Sequence, residues 1–211
     1  MRIVTVLRQR DVLSYLLFGF VTMVIFNGVM SMLNLILREW HGLSDMVIGG
    51  VFAAGSVLGG CVVMLLPPLQ NRFGNERLAL WFMLAQAAGI MLLSVSGALM
   101  TAMLICVRNM ATNCIYSTVD RPMLQSIAPD RQGSYSGLRA SANYVGMSLG
   151  VLLSGAFVAQ GNYAMLFLSV GMIGLVQCAI YRFVCVPKIR AGLAAQETAQ
   201  SDTLAEVTQS S

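Results

Sequence analysis

The chain has 211 residues, of which 57% are hydrophobic and only 10% charged, with a formal net charge of +4. Soluble domains carry about 25% charged residues, so this composition excludes an ordinary soluble domain and leaves the membrane class, with room for about six spans. The basic surplus is scattered among the segments between apolar runs, so it reads as membrane topology rather than a nucleic-acid-binding face.

Apolar runs between charged or Gly/Pro breaks predict an all-α membrane protein with helices over 12–37, 46–69, 78–96, 98–119, 137–159 and 162–186. Residues 1–11 form a short cytoplasmic segment in this reading, and 12–186 the six-helix bundle. The first run is too long for a signal-peptide core and has no small-residue cleavage site after it. Within it, Asn27, Ser31 and Asn34 share one helical face, as interhelical hydrogen-bonding groups or as cavity lining. The second run reads "GGVFAAGSVLGG", whose Gly55 and Gly59 allow close helix contact, as does Gly49/Ala53. Gln86 is a single amide in the third run, and the "SVSGA" break that follows is weakly marked.

The fourth run, "TAMLICVRNMATNCIY", carries polar groups where hydrocarbon belongs. Arg108, Asn109, Thr112, Asn113 and Tyr116 fall on one half of the helix and the aliphatic residues on the other. An arginine at a helix centre costs about 2.5–3.5 kcal/mol, whereas Leu99, Leu104, Ile105, Val107, Ile115 and Val119 together return about 2–4 kcal/mol. The polar half therefore faces protein or water. Arg108 is either pinned by helix carbonyls as a packing feature or lines a water-filled path, and the second reading is preferred.

The fifth run places Asn143, Gly146, Gly150 and Ser154 on one narrow stripe, again suited to close packing. The sixth contains Gln177, and residues 187–211 are polar and aperiodic, which predicts a disordered cytoplasmic tail. With the N-terminus inside, Arg2, Arg8, Arg10, Arg72, Arg77, Arg121, Arg131, Arg139, Arg182, Lys188 and Arg190 all fall on the cytoplasmic side. Only Arg38 falls outside, so both termini are expected in the cytoplasm.

The chemistry of an enzyme is not visible. His41 is the one histidine, and the sequence shows no HExxH, GxSxG or P-loop. The five cysteines, Cys61, Cys106, Cys114, Cys178 and Cys185, lack metal-site and CxxC spacing and read as packed free thiols. No cofactor or metal is expected. No carboxylate is seen at membrane depth, because Asp120 is placed at the end of its span.

Two loops resemble known ones. "PPLQNRFGNERLAL" resembles the G-x-L-x-D-R-x-G-R-R loop of the major facilitator superfamily, with Leu69, Arg72, Gly74 and Arg77 matching and Pro67, Asn71, Asn75 and Glu76 departing. The segment from Arg121 to Phe157 resembles that family's fourth-to-fifth helix connection, with a turn at Pro129 to Gly133; Val151 replaces the antiporter signature's proline. Both departures resemble a C-terminal six-helix half.

This resemblance implies a secondary transporter, or half of one, that moves a small solute (efflux included) by alternating access across a bacterial-type inner membrane. It implies a second six-helix half as partner alongside the lipid bilayer, with the first and fourth helices lining the cavity. Arg72, Gly74 and Arg77 would then form a cytoplasmic gate, and Arg108 would contact a substrate anion or gate the cavity. The alternative is a self-contained six-helix protein acting as a homodimer or scaffold.

Overall fold

The structure, a computed structural model, describes residues 10–196 and residue 198. The expectations for residues 1–9 and 199–211, most of the N-terminal segment and of the polar tail, lie outside the described residues. Among the described residues the chain is all-helical, with six helices long and apolar enough to cross a membrane. In order they are α1 (Arg10–Glu39), α2 (Asp45–Met64), the short α3 (Leu66–Phe73), α4 (Asn75–Leu92), α5 (Ala98–Gln125), α6 (Gln132–Ala159) and α7 (Tyr163–Ile180). A π-helical turn, Tyr181–Cys185, extends α7, and the span as a whole runs Tyr163–Gln196.

Several boundaries differ from the hydropathy reading: the sixth run stays helical to Gln196, so residues 187–196 of the expected disordered tail are helix, and two other differences have local reasons. The second run does not continue to 69. Pro67 and Pro68 lack N–H groups and would clash with the preceding turn, so α2 stops at Met64 and the prolines sit in the first turn of α3. The weak "SVSGA" break is genuine: α4 tightens into a 3₁₀ turn over Leu93–Val95, and Gly97 caps α5. The fourth run extends past Pro122 to Gln125, although a proline inside a helix frees the carbonyl four residues earlier. That carbonyl, on Thr118, accepts the Nδ2 of Asn75 at 2.6 Å, so the interruption is satisfied from another helix.

The bundle is closed chiefly by α1 against α6, α4 against α5 and α7, and α2 against α5. Gly146 and Gly150 make the α1–α6 contact possible. A Cβ on Gly150 would stand 2.7 Å from the Val24 carbonyl oxygen and 2.8 Å from the Gly28 nitrogen. Further along the same seam the hydroxyls of Ser31 and Ser154 are 2.7 Å apart. Small residues let two backbones approach where hydrocarbon supplies no hydrophobic drive.

Two large apolar clusters fill most of the interior, with a smaller one of Leu66, Leu78 and Cys114 beside them. One, at the end where α1 begins, includes Tyr15, Phe18, Met83, Val119 and Tyr181. The other, towards the opposite end, includes Val29, Leu33, Ile90, Ile105 and Phe167. In sequence, each of α1, α4, α5 and α7 passes from one cluster to the other through buried polar residues: Thr22, Gln86, Arg108 with Thr112, and Gln177.

Gly150→Ala is expected to destabilise the bundle by about 1–3 kcal/mol, because the two atoms nearest the new methyl group are backbone atoms of α1 that cannot swing aside. Gly60→Ala, with nothing within 4 Å of the added carbon, is expected to be neutral. Unfolding in mixed detergent micelles measures both; equal effects would remove the close-approach explanation.

Candidate functional site

Arg108 lies about 15 Å along a helix about 42 Å long, well inside a hydrocarbon layer of about 30 Å. It is fully buried, at 0% exposure. Its Nη2 donates to the Phe26 carbonyl at 3.2 Å and its Nη1 to Asn109 Oδ1 at 3.3 Å. The guanidinium carbon stands 5.3 Å from the centre of the Phe26 ring, a cation–π contact that gains from desolvation. Among the described residues its Nε is buried without a partner. Arg108 thus joins α5 to α1 from behind the surface.

The rest of the polar layer is tied in by amides. Gln86 Nε2 donates to Thr112 Oγ1 at 3.2 Å, and Thr112 in turn donates to the Arg108 carbonyl at 2.9 Å. Gln177 Nε2 donates to Thr22 Oγ1 at 2.7 Å. Both glutamines are interhelical hydrogen-bonding groups.

Beside Arg108 an open cleft of about 170 Å³ separates α1, α2 and α5. Phe26, Met30 and Phe52 supply its apolar wall; Ser56, Asn109, Thr112 and Asn113 supply the polar one. The glycines of α2 make room for the amides. Asn109 Nδ2 lies 3.0 Å from where a Gly55 Cβ would be, and Asn113 Nδ2 lies closer still to that of Gly59.

The other expected residues are dispersed. Asn27 packs beside Gly150, and Ser31 bonds Ser154, which puts both at the α1–α6 seam. Asn34 lines a separate cleft with Asp45, Ile48, Gly49 and Phe52. Tyr116 donates to Met23 Sδ at 3.7 Å and borders a tight pocket with Asp120, Arg139 and Asn143. Asp120 and Arg139 form an ion pair between α5 and α6. That pair was not evident in the sequence, where Arg139 counts as a cytoplasmic-side charge at the very start of its run; α6 begins at Gln132, which sets Arg139 two turns inside the helix.

The loop signature also takes definite form. Arg72 is exposed and stacks over Phe73 at 5.4 Å, and Arg77 is exposed in the first turn of α4. Gly74 links α3 to α4 with φ of +79°, a conformation that suits glycine. Glu76 and Asn75, which depart from the signature, make the connections: Glu76 pairs with Arg190 beyond the π turn, and Asn75 reaches Thr118. At the opposite end His41 Nε2 meets Thr101 Oγ1 at 3.1 Å and stacks on Trp40; burial pushes its pKa down.

Six apolar spans enclosing a buried guanidinium and a layer of buried amides define a polytopic helical membrane protein with a polar interior. A family model described as Major Facilitator Superfamily matches residues 15–207, and the chain belongs to that superfamily. It is therefore a membrane transporter of the major facilitator type, in a family of transporters rather than enzymes, and its six spans correspond to a half-bundle. No curated protein and no solved structure matches the chain.

Asn75→Asp removes the donor that satisfies Thr118 and is expected to cost about 1–3 kcal/mol in micellar unfolding. In a Pro122→Ala background, where residue 122 regains an N–H, the same change is expected to cost much less. Equal costs in the two backgrounds would contradict the assigned role of Asn75.

Proposed function

We propose that the chain forms one half of a secondary transporter's solute path, with the cleft between α1, α2 and α5 as its wall of the central site. The observation that carries this reading is the placement of Asn109, Asn113 and Ser56 on an open cleft at membrane depth. Lipid offers these groups no hydrogen-bonding partner, so a wet or solute-filled space is the environment that accommodates them. The cleft is smaller than the about 300–1,000 Å³ of complete small-molecule pockets, as one wall of a shared site should be.

The burial pattern supports a second six-helix half. Only 17% of the central residues of α2 and of α6 are buried, against 39–50% in the other four spans. Rocking of two such halves about a midplane site gives alternating access. Basic residues favour both termini on the cytoplasmic side of a bacterial-type inner membrane. Arg72, Gly74 and Arg77 belong to the cytoplasmic gate in this reading, and Asn27, Ser31, Asn34 and Tyr116 flank the path. Arg108 acts as a positioning residue: it holds Asn109 and the Phe26 backbone in place.

Asn113→Cys tests the path. In right-side-out and inside-out membrane vesicles, a membrane-impermeant maleimide is expected to label the new thiol from both sides, as alternating access requires. Labelling from neither side, in a chain that remains folded, would overturn the proposal.

A further inference from the structure

The cleft wall is uncharged, although an arginine lies directly behind it. Both terminal guanidinium nitrogens of Arg108 are engaged with Phe26 O and Asn109 Oδ1, and none of its surface is exposed. Among the described residues neither a carboxylate nor a basic group lines the cleft. An ionic group placed there would give up hydration without a counter-charge, the costly case for burial.

The unspent hydrogen-bonding capacity can be counted. Thr112 is occupied in both directions, by Gln86 and by the Arg108 carbonyl. Asn109 has its oxygen held by Arg108, which fixes the orientation of its amide and leaves Nδ2 as a donor. Among the described residues the Asn113 carboxamide makes no hydrogen bond, so it keeps two donor hydrogens and an acceptor. Ser56 donates to the Phe52 carbonyl at 2.9 Å, and its oxygen remains able to accept. The rest of the cleft is lined by two phenylalanine rings and a methionine.

Resting on the transporter reading above, we infer that this wall receives the uncharged part of the solute: an aromatic or planar group with a hydrogen-bonding edge of carboxamide or hydroxyl type. Phe26 and Phe52 take the ring, and Asn109 and Asn113 take the edge. Asn113 is the specificity-determining residue, because it offers both a donor and an acceptor. Arg108 enters only by fixing Asn109.

Ser56→Cys in the full chain, kept in membrane vesicles, supplies the test. Its labelling by a neutral water-soluble maleimide is read against the unmodified chain, which corrects for the five native cysteines. Benzamide, benzoate and benzylammonium serve as probes because they share one ring and differ in charge. Benzamide is expected to protect at concentrations about fivefold below those that either charged probe requires, the factor in affinity that one hydrogen bond of about 1 kcal/mol supplies. Adding Asn113→Leu is expected to abolish the protection, read against the double variant's own labelling rate without probe. Protection by benzoate or benzylammonium equal to that by benzamide, or by none of the three, would overturn the inference and leave the solute path standing. A folded Ser56→Cys chain that the reagent cannot label at all would overturn the path itself, and the inference with it.

Discussion

A guanidinium at the centre of a transmembrane helix costs about 2.5–3.5 kcal/mol on the mildest scale, so the surrounding structure must compensate for it. Arg108 is compensated by a backbone carbonyl and an aromatic face from α1 and by an amide on its own helix. These partners hold α1 and α5 in one register without close backbone packing, because the long arginine side chain spans the distance, and they put Phe26 between the charge and the cleft. The positions of α1 and α5, and the neutral character of the cleft, both depend on this one interaction.

The polar layer extends the constraint to the other helices. Gln86 brings in α4 through Thr112, and Gln177 joins α7 to α1 through Thr22. Each of these two glutamines finds its partner on a different helix, so the contacts set register as well as adjacency. Above and below, two apolar clusters pack without such direction. The Asn75–Thr118 bond applies the same logic near the end of α5, where Pro122 has left a carbonyl free.

Much of this was legible in the residues themselves. Hydropathy gave six spans because their length and apolarity are set by the bilayer, and the turn chemistry of Pro67 and Pro68 could have placed the end of α2. The polar half of α5 was legible from periodicity, since a helix sorts its residues at 100° intervals. What periodicity could not give was the partner. Arg108 turns inward to Phe26, while Asn113 opens on the cleft, and that division depends on where α1 and α2 pack. Asn27 and Ser31 share a face with Asn34 yet serve the α6 seam, because Gly150 and Ser154 meet them there. Asp120–Arg139 is a pairing between two helices, and no sequence spacing encodes it.

The central claim is that Arg108 works by holding α1 in place behind the cleft. A double-mutant cycle between Arg108→Met and Phe26→Leu, read as unfolding free energy in mixed micelles, tests it most directly. A desolvated cation–π contact predicts a coupling of about 1–2 kcal/mol between the two positions. Additive effects, with coupling inside the about 0.3–0.5 kcal/mol expected of independent sites, would contradict it.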